Sequence, residues 1–173
     1  MFVSPLMTIP KMQQVFSEIK EKGKILAVDM TKAKNREKIE DLAELLPYID
    51  YIFPNEAEIA LLTGEKDPKR NAERLLEMGV KTAVIKCGEK GCVLGDETGI
   101  YLVPAVPVQK CVDTTGAGDA FCAGVSAGLT YGKSLPEAID IGSLLAASVI
   151  TSSENVCPRF LPREVGIDID VID

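Results

Sequence analysis

The chain alternates short apolar runs, typical of buried strands, with longer amphipathic segments, typical of helices. Ile25–Asp29 and Thr82–Lys86 are the clearest strand-like runs, and Thr8–Lys22 and Pro68–Met78 have helical spacing. Alternation of this kind is the signature of an α/β fold, in which helices cover a sheet. Further strands are predicted at Tyr51–Phe53, Cys92–Gly95 and Ile100–Val103, and further helices at Lys38–Leu46, Asn55–Gly64, Gly116–Tyr131 and Leu135–Ser152.

Size and composition limit the possibilities further. The 173 residues, 46% of them hydrophobic, suffice for one compact domain, which we expect to span residues 1–173. The net charge of −7 disfavours nucleic-acid and anionic-membrane partners. The five cysteines contain no Cys-x-x-Cys pair, and no apolar run is long enough to cross a bilayer. We therefore expect a cytoplasmic protein with reduced cysteines and neither nucleic-acid nor membrane partners.

The sequence contains no histidine. This excludes a Ser-His-Asp triad, a Cys-His dyad and a histidine zinc site within the chain. Gly124–Gly128 matches the Gly-x-Ser-x-Gly hydrolase pattern by letter only, and we interpret it as a run of small residues in a close-packed helix. Gly128–Ser134 resembles a phosphate loop with one residue too few between its glycines. We expect Gly132 to end a helix there and Ser134 with Glu137 to cap the next one.

The run Asp113–Phe121 combines a bare glycine turn, two carboxylates and the start of a helix. Small residues let backbone amides approach a ligand, and the amides and dipole at a helix N-terminus favour an anion. A carboxylate beside such an anion site would repel the anion. Asp119 is therefore best explained as a base that removes a proton from a hydroxyl attacking the anion.

Other clusters agree with phosphoryl transfer. Asn55 and Glu58, at i and i+3 of a predicted helix start, offer oxygens suited to a hydrated magnesium ion. Lys86 ends a strand before the Gly88–Gly91 turn, where a point charge and close backbone approach suit nucleotide phosphates. Taken alone, Asn55 and Glu58 equally fit an ordinary helix cap, and Lys86 a solvated strand end. Asp29 ends a strand at the usual ligand edge, but we assign it no function.

The complete Asp-Thr-x-Gly-Ala-Gly-Asp signature, Asp113–Asp119, resembles that of the ribokinase-like (PfkB) family of carbohydrate kinases. The resemblance implies a ribokinase-like three-layer α/β/α sandwich and ATP-dependent phosphorylation of a sugar or sugar-like alcohol, including nucleosides. It implies that Asp119 is the catalytic base and that Asp113 and Thr115 lie where members bind a monovalent cation such as K⁺. The implied anion hole consists of Gly116, Ala117 and Gly118.

The resemblance extends to the other clusters. It implies that Asn55 and Glu58 match the Asn-x-x-Glu motif that binds Mg²⁺ through water. Lys86, Gly88 and Gly91 correspond to positions that contact the nucleotide. In the segment that flanks the adenine, Asn155 stands where the family usually has glycine, and asparagine tolerates the same left-handed backbone.

The likeness covers only the C-terminal half of a family member, from Met1 to about Pro162. The N-terminal half, with the β lid and most sugar contacts of the family, is expected to be absent. Such a chain would be a shortened protein, a natural half completed by a second polypeptide, or a non-catalytic nucleotide-binding remnant. We expect exposed apolar edges to favour aggregation, a homo-oligomer or pairing with the missing half. The identity of the sugar stays open.

Overall fold

The computed structural model describes residues 8–31, 38–153 and 162–167, which fall into two compact units, 1–104 and 105–173. The first contains α1 (Ile9–Glu21), β1 (Ala27–Asp29), β2 (Tyr51–Phe53), α2 (Glu56–Thr63), α3 (Pro68–Glu77), β3 (Thr82–Lys86), β4 (Cys92–Asp96) and β5 (Gly99–Val103). The second contains α4 (Ala117–Thr130), α5 (Leu135–Ile150) and a short 3₁₀ turn at Pro162–Val165.

The five strands form one mixed sheet in the order β1-β2-β3-β4-β5. β1, β2 and β3 run parallel, with Val28 opposite Ile52 and Ile52 opposite Ala83. β3, β4 and β5 are successive antiparallel strands. The parallel strands are joined through helical segments, as crossover geometry requires. The predicted α/β class is therefore confirmed.

The core of the first unit lies where helices cover the sheet. Ile52 and Ile85 are fully buried on neighbouring strands, and α3 contributes Leu75. α1 buries Met12 and Phe16, four positions apart on one helix face. This core fixes the parallel strands in register and so determines where their carboxyl ends lie.

One predicted helix is wrong. Lys38–Leu46 does not form an α-helix but two short 3₁₀ helices, Ile39–Leu42 and Leu46–Tyr48, linked by a turn. The apolar residues Ile39, Leu42 and Leu45 recur every three positions and are all buried. A spacing of three suits the 3₁₀ helix, which has three residues per turn, and Pro47 removes a backbone donor.

A buried carboxylate links α1 to the sheet. Asp50 accepts hydrogen bonds from Lys20 Nζ at 2.5 Å, from Lys81 Nζ at 2.9 Å and from the Leu26 N–H at 2.8 Å. Burial tends to raise the pKa of Asp50, but these three donors outweigh it and lower the pKa below its ordinary value. Asp50 lies just before β2, at the amino end of the parallel strands.

In the second unit, α4 and α5 pack as an antiparallel pair in which glycines bring the two backbones close together. A Cβ on Gly124 would lie 2.6 Å from the Gly142 Cα, and one on Gly128 would lie 2.9 Å from the Ala138 Cα. The interpretation of Gly124–Gly128 as a close-packed run of small residues is confirmed. The predicted cap of α5 is also present, because the Glu137 carboxylate accepts from the N–H and the hydroxyl of Ser134.

Candidate functional site

In the first unit, the carboxyl ends of β1, β2 and β3 bring several predicted residues to one edge of the sheet. Asp29 is the last residue of β1, and Asn55 follows two residues after β2. Lys86 ends β3 and forms an isolated parallel bridge with Asn55. The Lys86 N–H donates to the Pro54 carbonyl at 2.8 Å, so the chain leaving β2 stays bonded to the end of β3. Ligands of open α/β sheets bind beyond this edge.

Asn55 and Glu58 close a reciprocal capping box at the start of α2. Asn55 Oδ1 accepts from the Glu58 N–H, and Glu58 Oε2 accepts from the Asn55 N–H, both at 2.8 Å. The helix-cap interpretation is therefore confirmed for both residues. Each side chain keeps further lone pairs, since an amide oxygen has two and a carboxylate about four. The same box that starts the helix fixes both oxygens at the ligand edge.

Lys86 is paired across the sheet with Asp29. Lys86 Nζ lies 2.8 Å from Asp29 Oδ1, although β2 separates their two strands. The Lys86 side chain is 15% exposed and that of Asp29 34% exposed. The alternative that Lys86 is an ordinary solvated strand end is therefore wrong, since its side chain is mostly buried and paired. Asp29 received no function from the sequence, and its position at the carboxyl end of β1 was the only available signal.

The turn between β3 and β4 is a single 3₁₀ turn at Gly88–Lys90, closed by the Cys87 N–H donating to the Gly91 carbonyl at 2.8 Å. Gly91 has φ of +96°, which favours glycine strongly. Burial raises the pKa of the Cys87 thiol to about 11 and that of Cys92 to about 12. These two thiols are therefore protonated at neutral pH and suit a structural role.

In the second unit, Asp113 stabilises the turn before α4 through hydrogen bonds from Thr115. Its Oδ1 accepts from both the N–H and the hydroxyl of Thr115, each at 2.9 Å. The backbone bond from Thr115, together with the hydroxyl bond, lowers the pKa of Asp113. The carboxylate is consequently charged at neutral pH, and it shapes the turn through residues only two positions away.

The glycine turn leads directly into α4. Gly116 is the N-cap residue with φ of +83°, a left-handed conformation that side chains rarely adopt. Ala117, Gly118 and Asp119 form the first helical turn. N–H groups of a first turn have no intrahelical acceptor, and the helix dipole makes this end positive. The Asp119 side chain is exposed in this turn.

The structure thus groups the predicted residues in two sets. Asn55, Glu58 and Lys86 lie together on the first unit, with the Gly88–Gly91 turn continuing from Lys86. Asp113 to Asp119 form one continuous turn and helix start on the second. Asn155 falls outside the described residues. Within the described ranges, no group of three or more acidic, cysteine or histidine side chains is arranged to hold a metal directly, and no helix is long and apolar enough to cross a membrane.

Comparison with known proteins gives consistent matches. Residues 4–157 match the model of the pfkB family of carbohydrate kinases. Cytidine kinase from Thermococcus kodakarensis is 35% identical over 147 residues, covering 82% of this chain and 52% of that protein. The crystal structure of ribokinase from Thermotoga maritima aligns with a TM-score of 0.71 and 32% identity, covering 82% of this chain and 47% of that one.

Ribokinase from Arabidopsis thaliana, solved in complex with ribose and ATP, aligns with a TM-score of 0.72 and 27% identity, covering 85% of this chain and 48% of that one. The expected ribokinase-like fold is therefore confirmed. The chain spans about half the length of these relatives. Because the family match extends over most of the 173 residues, the chain belongs to the pfkB family of carbohydrate kinases.

Proposed function

We propose that this chain carries the nucleotide-binding and catalytic part of a kinase that transfers the γ-phosphoryl group of ATP to a hydroxyl of a sugar or a sugar-like alcohol. The observation that carries the proposal is the turn before α4. An αL glycine, two small residues and an exposed carboxylate, Asp119, form a helix N-terminus that suits an anion and a base side by side. The names of its relatives, cytidine kinase and ribokinase, support this substrate class.

In the proposed reaction Asp119 accepts the proton of the acceptor hydroxyl. The hydroxyl oxygen then forms a bond to the γ-phosphorus of ATP, the bond from that phosphorus to the bridging oxygen breaks, and ADP leaves. The first-turn amides of Gly116, Ala117 and Gly118 stabilise the negative charge on the transferring group. Phosphoryl transfer depends mainly on positioning and charge neutralisation, which these fixed backbone donors supply.

The proposed phosphate contacts of the nucleotide, apart from the anion hole, lie on the first unit. Lys86 offers a point charge to the ATP phosphates, and the backbone of the Gly88–Gly91 turn approaches them. Asn155, outside the described residues, is assigned to the adenine side. The roles of Lys86 and Asn155 come from the family motif, and the partial burial of the Lys86 side chain supports the first of them.

Asn55 and Glu58 fit a magnesium ion held through its water molecules. One oxygen of each side chain is already bonded in the capping box, and the remaining lone pairs suit a hydrated ion, which Mg²⁺ prefers to stay. The ion would supply charge neutralisation for the phosphates. Asp113 and Thr115 are proposed to lie at a site for a monovalent cation such as K⁺, because the charged carboxylate and the turn supply oxygen atoms.

The test is the Asp119→Asn variant. Removing a general base lowers kcat by about a thousandfold, whereas the dissociation constant for ATP with Mg²⁺ stays within about twofold. Turnover is measured with a panel of sugars and nucleosides, and binding by calorimetry. Asp140→Asn, on the exposed face of α5, is the matched control and keeps full turnover.

Two outcomes contradict the proposal in different ways. Turnover retained by Asp119→Asn removes Asp119 from the base role. If the unmodified chain binds ATP but phosphorylates none of the acceptors, the second candidate function is favoured, a non-catalytic nucleotide-binding module or a half-kinase that needs a second polypeptide. Adding a polypeptide that carries the rest of a relative's fold then separates these two, since only the half-kinase gains turnover.

A further inference from the structure

We infer that Asp29 is a positioning residue that holds the Lys86 ammonium at the carboxyl edge of the sheet, in place for a nucleotide phosphate. The inference rests on the proposed function, which assigns the phosphates to Lys86. Its evidence is the 2.8 Å contact between Asp29 Oδ1 and Lys86 Nζ, which spans β2. Residues 29 and 86 meet only because β1, β2 and β3 align in parallel.

Asp29 is itself held in place. Its Oδ1 also accepts from the Met30 N–H at 2.8 Å, so the carboxylate is bonded to the backbone of the next residue. Asp29 pairs in register with Phe53, whose side chain is 1% exposed, so the β1 end is tied to the buried centre of the sheet. A carboxylate anchored in this way presents one defined oxygen to the lysine.

Lys86 needs such a partner because a lysine side chain is flexible. Its four-carbon stem has many rotamers, and ordering them on ligand binding opposes association. Lys90, four residues further along, is 70% exposed, whereas Lys86 is 15% exposed. The pairing restricts Lys86 before any nucleotide arrives, and this preorganisation reduces the entropy lost on binding.

The pair remains compatible with a phosphate contact. A lysine ammonium carries three N–H donors, so a bond to Asp29 and a bond to a phosphate oxygen can coexist. The same carboxylate also repels a phosphate, which opposes the positioning effect. The two effects have opposite signs: positioning makes removal of Asp29 weaken nucleotide binding, whereas simple competition for Lys86 makes removal strengthen it.

The first experiment needs no nucleotide. The intact chain is treated with a limiting acylating reagent, and modification of Lys86 is measured by mass spectrometry relative to that of Lys90. We expect Asp29→Ala to raise the modification of Lys86 about fivefold, because the ammonium loses the carboxylate that pairs with it and becomes more accessible to the reagent. Modification of Lys86 that does not change overturns the inference, whatever the function of the chain.

The second experiment measures ATP dissociation constants for Asp29→Ala, Lys86→Met and the double variant. Positioning predicts binding about fivefold weaker in Asp29→Ala, with no further loss when Asp29→Ala is added to Lys86→Met. Asp29→Asn keeps an oxygen acceptor and restores most of the affinity. Tighter binding by Asp29→Ala overturns the inference in favour of competition, and an equal loss in the Lys86→Met background overturns it in favour of a general structural effect.

Failure of the proposed function has a different signature. The nucleotide role of Lys86 is wrong if Lys86→Met binds ATP as tightly as the unmodified chain does, or if the unmodified chain binds no ATP. In either case Asp29 does not position Lys86 for a nucleotide. The acylation result still reports on the pair itself. Asp96→Ala is the matched control, because β4 runs antiparallel to β3 and places Asp96 at the opposite edge of the same sheet.

Discussion

The sheet edge of the first unit and the turn before α4 hold their polar side chains in different ways. At the sheet edge, Lys86 is held by Asp29, a residue 57 positions away in sequence. Before α4, Asp113 is held by Thr115, only two positions away. The first arrangement depends on strand order and register, whereas the second depends on consecutive residues alone.

The packing that supports the two regions also differs. The first unit rests on large apolar side chains and on the buried carboxylate Asp50. In the second, α4 and α5 approach until the backbone around Gly124 and Gly142 is in contact. An atom added at Gly124 therefore meets backbone, which cannot turn away, whereas one added at Gly95 of the sheet unit meets side chains.

One added methyl group is expected to destabilise the second unit more than the first. In Gly124→Ala the new Cβ meets the Gly142 Cα at 2.6 Å, so the helices must separate, and we expect the free energy of unfolding to fall by about 3 kcal/mol. In Gly95→Ala the new Cβ meets the end of the Ile100 side chain at 2.9 Å, which can turn away, and the Ala72 Cβ at 3.1 Å, from which α3 needs only a small shift, so the expected loss is about 1 kcal/mol.

Urea unfolding monitored by circular dichroism measures both variants. Equal losses would show that α4 and α5 can shift apart as easily as a side chain turns, and the contrast between the units would be lost. Ala123→Ser, on the exposed face of α4, is the control for helix propensity and changes the unfolding free energy by less than about 0.5 kcal/mol.

The same contrast explains what sequence could predict. The Asp113–Asp119 turn could be predicted because its hydrogen bonds join residues close in sequence, and because glycine readily adopts the left-handed conformation found at Gly116. The strands β2 and β3 were also predicted with their observed bounds. The Asp29–Lys86 pair could not be predicted, since it requires the order of three strands, which periodicity does not give.

The error at Lys38–Leu46 has a local cause. Apolar residues spaced by three and four fit both an α-helix and successive 3₁₀ turns. Glu40, Asp41 and Glu44 are exposed between the buried apolar residues, so the polar face that predicted an α-helix is present, and Pro47 directly after the segment removes the backbone donor that a continuing α-helix needs. Hydrophobic spacing alone therefore does not distinguish the two kinds of helix.

Charge on Asp50 is expected to stabilise the first unit. Asp50→Asn keeps the shape of the side chain but loses the charged hydrogen bonds to Lys20 and Lys81, and we expect a loss of about 2 kcal/mol at pH 7. Because the pKa of Asp50 is lowered in the folded chain, its stabilisation is present above the ordinary pKa of 3.8 and is lost as the pH falls through the lower folded value.

Urea unfolding at pH 7, 5 and 3 measures this effect. The difference in unfolding free energy between the unmodified chain and Asp50→Asn narrows as the pH falls below 3.8, because the unfolded chain then takes up a proton on Asp50 while the folded chain does so only at its lower pKa. A difference that stays constant down to pH 3 would show that the Asp50 charge does not stabilise the fold. Asp41→Asn, an exposed residue in the same unit, is the control for the general effect of removing one carboxylate.

The smallest predicted effect on stability separates a helix cap from a metal ligand. Asn55→Ala removes the acceptor for the Glu58 N–H, and Ser134→Ala weakens the equivalent capping box of α5, each with an expected loss of about 1 kcal/mol. The two variants should thus be alike in unfolding but different in ligand binding. Only Asn55→Ala is expected to weaken the Mg²⁺ dependence of ATP binding, because Ser134 lies outside the proposed site.

Calorimetric titrations of ATP at several Mg²⁺ concentrations measure that dependence in both variants. Asn55→Asp sharpens the distinction, since aspartate caps a helix as well as asparagine does and adds a negative charge that attracts the hydrated ion. We therefore expect Asn55→Asp to keep both the free energy of unfolding and the Mg²⁺ dependence of ATP binding close to those of the unmodified chain. If Asn55→Ala and Ser134→Ala respond identically to Mg²⁺, Asn55 is a helix cap with the same role at the sheet edge that Ser134 has on α5.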